Sequence, residues 1–351
     1  MFRTMLGATA LAMVSALPAQ ALEVVVSIKP LHSLVAGVMG ETGTPKLIVR
    51  GAASPHTYAL RPSDAAALEA AELVFWIGPG LEAFLEKPLA ALGGDAKSVE
   101  IAWQKAVTLL PLREGGPFEA HSHGDDEHGH GDHAGHDHDD DDDDHAHGED
   151  HDDHDHEEDH AADDHEHGTG PGQHTHGPEE FDMHLWLDPQ NAAAVVGVIE
   201  AALAEADPAN AAAYKANAEA LRGRLAALSG EIDAELAPVK GKPFIVFHDA
   251  YQYFENRFGM PAAGSITVSP EVMPGAERLT QIRTRITETG AACVFAEPQF
   301  EPRLVQTLIE GTSAKAGVLD PEAGAIEEGP ELYFTMMRGI ADNLRACLGE
   351  S

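Results

Sequence analysis

The sequence predicts an α/β fold of two lobes with parallel sheets, joined by a long connecting helix. Three observations predict it. Strand and helix patterns alternate between Glu23 and Ile77, the alternation resumes at Phe244, and a long helical repeat beginning at Pro208 lies between the two. Alternation of this kind covers the faces of a parallel sheet with helices.

Residues 1–21 stand apart from either lobe. Arg3, an apolar run from Met5 to Leu17 and then Ala19-Gln20-Ala21 have the pattern of a cleaved secretory signal. The run is too short to cross a bilayer as a helix, and no Cys near the cleavage point would carry a lipid. The mature chain is therefore expected from Leu22, in a periplasm-like space.

The elements follow in order. Glu23 to Ile28 reads as a strand, Leu31 to Met39 as a helix and Lys46 to Val49 as a second strand. Ser63 to Ala70 reads as a helix whose N-cap is Ser63, after Pro62, and Glu72 to Ile77 as a third strand closed by Gly78-Pro79-Gly80. Residues 22–117 thus form an N-terminal lobe, completed by 181–207, where Asn191 to Ala206 is helical. Residues 208–237 form the connecting helix. Pro208 suits its first turn, and Leu221, Leu225, Leu228, Ile232 and Leu236 recur at helical spacing. The C-terminal lobe, 238–351, comprises strand Phe244 to Phe247, helix Ala276 to Thr289, strand Ala292 to Ala296, helix Arg303 to Thr312, strand Gly317 to Leu319 and helix Leu332 to Cys347.

Residues 118–180 interrupt this rhythm. They contain no Lys or Arg, 17 of the chain's 21 histidines and 25 of its 59 acidic residues, so they carry −25 of the formal net charge of −37. The remainder is only moderately acidic and has no basic stripe, which excludes nucleic acid as a partner. Seven times the histidines fall as His-x-His: His121 and His123, His128 and His130, His136 and His138, His145 and His147, His154 and His156, His165 and His167, His174 and His176. Residues two apart in extended backbone face the same way, so each pair offers two imidazole nitrogens to one cation. The composition predicts a disordered loop with auxiliary, weaker metal sites. His156-Glu157-Glu158-Asp159-His160 matches the zinc-protease pattern, but that motif works on a packed helix, and only alanines stand nearby to pack one.

Cys293 and Cys347 are the two cysteines. Pairing is expected in an oxidising compartment and would pin the C-terminal helix to a strand; a Cys-ligated zinc site lacks close-spaced partners.

Ligands of open α/β sheets bind beyond the carboxyl ends of the strands. His56, in the loop after Lys46 to Val49, and His248-Asp249, after Phe244 to Phe247, fall there, as does Asp320-Pro321 after Gly317 to Leu319; His184 precedes a helix. His32, within the first helix, reads as structural or capping. Separations of 128 and 64 residues among His56, His184 and His248 make no local metal motif, so spacing leaves their role open.

Several segments taken together carry a resemblance: Ser27-Ile28-Lys29-Pro30-Leu31-His32-Ser33-Leu34, the loop Ser54-Pro55-His56-Thr57-Tyr58-Ala59-Leu60-Arg61-Pro62-Ser63-Asp64, the acidic His tract, Asp182 to Pro189, Phe247-His248-Asp249-Ala250-Tyr251, Val294 to Phe300 and Leu319-Asp320-Pro321. Over nearly the whole mature length the chain resembles the ZnuA family, the zinc-binding proteins of bacterial zinc-uptake ABC transporters. The resemblance implies two α/β lobes joined by a long helix, with a metal in the cleft between them. Its cleft ligands fall on His56, His184 and His248. Some members carry a coordinating Glu immediately before the first histidine; Pro55 stands there and cannot serve. In related members an Asp before Pro in the last strand's exit loop coordinates, so the resemblance implies Asp320 as the fourth ligand, with water second. Glu297-Pro298-Gln299 reads as cleft wall or support for the ligands, and Cys293 and Cys347 fall where many zinc-specific members have a disulfide. Manganese importers of the same class carry a Glu at the position of His248. Three imidazoles and one oxygen suit Zn²⁺, whereas manganese prefers more carboxylate.

The expected activity is therefore binding, not catalysis. A monomeric periplasmic protein captures Zn²⁺ and docks transiently on a membrane permease, with a periplasmic metallochaperone as a further partner of the His tract. The competing readings are a periplasmic zinc buffer or store, and a manganese-type protein of the same class.

Overall fold

The computed structural model describes residues 22–92, 96–113, 115, 118, 180–267, 273–300 and 303–349. The signal segment 1–21 lies outside them. So do the auxiliary candidates of the acidic tract: His121, His123, His128, His130, His136, His138, His145, His147, His154, His156, His165, His167, His174 and His176.

Two four-stranded parallel sheets organise the described chain. The first runs in the order β2-β1-β3-β4, with β1 Val24–Val26, β2 Lys46–Leu47, β3 Leu73–Trp76 and β4 Lys97–Glu100. Helix α1 (Lys29–Met39) connects β1 to β2, α2 (Pro62–Glu69) leads into β3, and α3 (Ala83–Leu92) leads into β4. Every residue of β1 and β3 is buried, as strands covered on both faces require. Helix α2 begins one residue before the expected N-cap. Arg61 is the capping residue, Pro62 opens the helix, and the Asp64 carboxylate accepts from the Arg61 backbone N–H at 3.0 Å. Proline is preorganised for that first helical position.

A short antiparallel pair follows, β5 (Leu110–Pro111) with β6 (Phe181–Asp182). Then α4 (Pro189–Ala206) starts at Asp188, whose side chain caps the Gln190 backbone N–H and also accepts from Arg257. The long helix is α5, Ala211–Leu236; Pro208–Asn210 before it form a 3₁₀ turn, so the α-helix starts three residues later than expected. Its buried face includes Leu221, Leu225, Leu228, Ile232 and Leu236.

The second sheet runs β10-β9-β7-β8, from β7 Phe244–His248, β8 Gly264–Thr267, β9 Cys293–Ala296 and β10 Lys315–Val318. Helices α6 (Gln252–Phe258), α7 (Ala276–Thr289), α8 (Arg303–Ile309) and α9 (Leu332–Gly349) complete this lobe. Strand alternation divides its apolar residues between two cores. Phe244 and Val246 of β7, with Cys293 and Phe295 of β9, join a large core that also contains β1, α1, α4, α5 and α9. Ile245, Phe247, Val294 and Ala296 face a smaller core closed by Ile282 and Ile286 of α7 and by Val305 and Leu308 of α8. A disulfide joins Cys293 at the start of β9 to Cys347 on α9, so the C-terminal helix is pinned to a central strand.

Candidate metal centre

The three candidate histidines come from three separate parts of the chain and meet. His56 lies on the loop between β2 and α2, His184 just beyond β6, and His248 at the carboxyl end of β7. One ligating nitrogen from each falls within 4.8 Å of the other two. Nε2 of His184 stands 3.3 Å from Nε2 of His56 and 3.3 Å from Nε2 of His248. His184 and His248 are buried, and His56 is half-buried, so the cluster reaches solvent from the His56 side.

Two of the rings are oriented by carboxylates. Nδ1 of His184 is 2.8 Å from Asp182 Oδ1, which also accepts from the His184 backbone N–H at 2.9 Å. Nδ1 of His248 is 2.8 Å from both oxygens of Glu297, which is almost wholly buried at the exit of β9. A histidine that donates Nδ1–H to a carboxylate keeps Nε2 as a lone pair. Both lone pairs point at the same space.

The electrostatics of the cluster differ ring by ring. Burial, together with the neighbouring His184 and His248 rings, holds the His56 imidazole well below its ordinary value. His248 is pushed the other way. Burial opposes its charged form, but the Glu297 carboxylate and its hydrogen bond outweigh that and raise it.

Asp320 occupies the loop after β10 and is not gathered with the three histidines. Its Oδ1 accepts from Gln299 Nε2 at 3.1 Å and from the Glu322 backbone N–H at 3.2 Å. That loop is held by two side chains from distant parts of the chain. Lys29 Nζ donates to the carbonyls of Ala323, Gly324 and Ile326 at 2.6, 3.1 and 2.6 Å, and Trp186 Nε1 donates to Pro321 O at 2.9 Å. Gly324 approaches so closely that a Cβ there would lie 3.1 Å from Ala52, on the loop that carries His56. Burial, followed by the charge of Asp320, pushes the neighbouring Glu322 carboxyl well above its usual range.

His32 serves the fold. Its Nε2 is 3.0 Å from Pro45 O, which ties α1 to the turn before β2. Sequence reasoning missed the orienting role of Asp182. The available signal was its place two residues before His184, within a segment already singled out.

Two lobes, each built on a parallel sheet, match the fold of ZnuA-type solute-binding proteins. A solved structure titled "Crystal structure of ZnuA" has a TM-score of 0.68 at 22% identity, covering 94% of this chain and 100% of that one. A laminin-binding adhesin of Streptococcus agalactiae gives 0.67 at 22% identity, covering 93% and 99%. Residues 24–347 match the family described as "Zinc-uptake complex component A periplasmic", and the chain belongs to this ZnuA family. The relative from Brucella suis biovar 1 (strain 1330) named "High-affinity zinc uptake system protein ZnuA" is 53% identical over 327 residues, 93% of this chain and 92% of its own length. Proteins of the same name from Paracoccus denitrificans (strain Pd 1222) and Yersinia pestis are 38% and 37% identical, each aligned over more than nine-tenths of both chains.

Proposed function

We propose that this chain captures Zn²⁺ in the periplasm, at His56, His184 and His248, and delivers it to the permease of an ABC importer. The observation that carries the reading is the packing of imidazole lone pairs. With Nδ1 of His184 and of His248 each committed to a carboxylate, the neutral rings turn their Nε2 lone pairs toward one another across 3.3 Å. A cation between them removes that repulsion. Nitrogens bound tetrahedrally to Zn²⁺ at about 2.0–2.1 Å stand ~3.3–3.4 Å apart, which matches the spacing.

Three nitrogens leave one coordination position. The reading assigns it to Asp320, with water as the other occupant. Three imidazoles favour zinc over manganese, which prefers carboxylate oxygen. The lobes are divided as the sequence suggests, 22–117 with 181–207 against 238–351, and the leader 1–21 is removed on export. The tract 118–180, through its His-x-His pairs, adds weaker sites that capture or buffer zinc and pass it to the three histidines, and a metallochaperone would deliver metal to it. The protein acts as a monomer and catalyses no reaction.

The test is a zinc titration of the mature protein against a competing chelator, beside a variant lacking residues 119–178. One tight equivalent in both supports the reading. Loss of the tight equivalent together with the tract overturns it and favours a periplasmic buffer.

A further inference from the structure

The segments that leave and re-enter the His-rich stretch are paired with each other; one touches the imidazole cluster and the other the residue next to it. Leu110 pairs with Asp182 and Pro111 with Phe181, and Leu112 N–H donates to Glu180 O at 3.0 Å. On the returning side, Asp182 orients His184. On the departing side, Arg113 reaches the second lobe. Its Nε donates to Asp249 Oδ2 at 3.1 Å and its Nη2 to Asp249 Oδ1, while Nη1 and Nη2 donate to Glu255 at 2.7 and 3.1 Å. The guanidinium also lies 3.8 Å over the Phe118 ring.

Asp249 is the residue after His248, and Glu255 lies on α6. They are 7% and 4% exposed, so two buried carboxylates share one planar fork. Burial pushes both carboxyls up, and Arg113 opposes this in each. A third link runs through Tyr253 of α6. Its hydroxyl accepts from Leu110 N–H at 2.9 Å and donates to Asp182 O at 2.7 Å. The end of β7, which presents His248, is thereby fastened to the strand pair that presents His184.

We propose that Arg113 is a positioning residue for the metal centre: it clamps Asp249 and Glu255 to the β5–β6 stem, fixes His248 against His184, and so slows escape of the bound metal. The proposal rests on the reading of the three histidines as the zinc site. Arg113 touches no metal. Its guanidinium matches two carboxylates at once, which a lysine ammonium cannot do.

The test uses the mature full-length protein loaded with Zn²⁺, with release followed on mixing with excess chelator and capture followed separately. Arg113→Met is expected to speed release by about 10- to 100-fold, the usual effect of removing a support of a ligand, while capture changes little. Arg113→Lys is expected to recover part of the loss. Because Arg113→Met leaves two buried charges unpaired, the triple variant Arg113→Met, Asp249→Asn, Glu255→Gln is measured beside it. That variant removes the charges together, and it should still release zinc faster than the parent. Parental release rates in the triple variant, or an equal fall in capture and rise in release in Arg113→Met, would overturn the proposal. His56→Ala is the control for the underlying reading. If it keeps the tight equivalent, the zinc-site assignment fails; if it loses that equivalent while the Arg113 variants behave as the parent, only the clamp fails.

Discussion

Replacing Glu297 by Gln keeps the shape of the side chain and removes its charge. Both Glu297 oxygens stand 2.8 Å from His248 Nδ1, and the residue is 2% exposed. A dication on the opposite nitrogen would lie about 6 Å from that carboxylate. Two charges acting on one at this distance give ~1.4 kcal/mol in water and ~5.5 kcal/mol at an effective dielectric of 20. The support lost with an outer carboxylate on a ligating histidine is typically about 10- to 100-fold in affinity, or ~1.4–2.7 kcal/mol, which falls between those limits. Burial of the pair argues for the upper end. Glu297→Gln is therefore expected to weaken the tight zinc site by about 30- to 100-fold at pH 7.5, read by chelator competition, with stoichiometry still one. An affinity within about threefold of the parent would show that His248 needs no anionic support, and the orienting role argued for Glu297 would fall.

Further outcomes follow from the same geometry. On the three-histidine reading His56→Ala and His248→Ala each remove a ligand, so by chelator competition each should weaken the tight site by more than the 10- to 100-fold of a lost support. Protons compete with zinc for the same Nε2 lone pairs, so affinity should fall as pH drops. His248, raised, enters that competition first, from above its ordinary ~6.5, and His56, well below its ordinary value, only in more acid solution. An affinity flat from pH 8 to 5 would refute the three-histidine site. The raised value also means that metal-free His248 stabilises the fold below its unfolded value and ceases to as pH rises through the folded one, an increment visible in apo-protein melts. Breaking the Cys293–Cys347 bridge, which spans 54 residues, should cost ~4 kcal/mol by chain entropy while leaving the tight equivalent in place, as urea unfolding and titration of the Cys→Ser pair would report. Lys29→Met strips three carbonyls, two of them buried, of their donor and should cost about 3 kcal/mol in the same unfolding assay.

The elements that could be read from the sequence are those with a strong period or a buried apolar run. Strand β3, helix α5 and strand β7 fall within a residue or a few of where their patterns place them. The elements that escaped have weak patterns. Strand β4 begins with exposed Lys97 and Ser98, β8 is the four residues Gly264–Thr267, and β5 and β6 have two residues each. Such strands are made by their neighbours, not by their own side chains. The expected strand Gly317 to Leu319 starts earlier, at Lys315, since its pairing with Cys293 to Ala296 sets its length. As for the metal centre, nothing within a short window links His56, His184 and His248. Only the family motifs bring them together in the sequence; Asp182 lies within one of those motifs, but its contact with His184 Nδ1 emerges only from the fold, as do the contacts of Arg113 with Asp249 and Glu255.

The division of the second sheet between two cores bears on where the protein breathes. Helices α7 and α8 pack on the smaller core through Ile282, Ile286, Val305 and Leu308, whereas β7 and β9 also present Phe244, Val246, Cys293 and Phe295 to the larger one. Sub-global opening takes its least costly route through the unit with the fewest buried contacts. Amide hydrogens of α7 and α8 should therefore exchange with solvent deuterium well before those of β7. A fluctuation that lifts those helices leaves the strand ending in His248 held by the larger core, so the molecule can loosen on that side while the three imidazoles stay together.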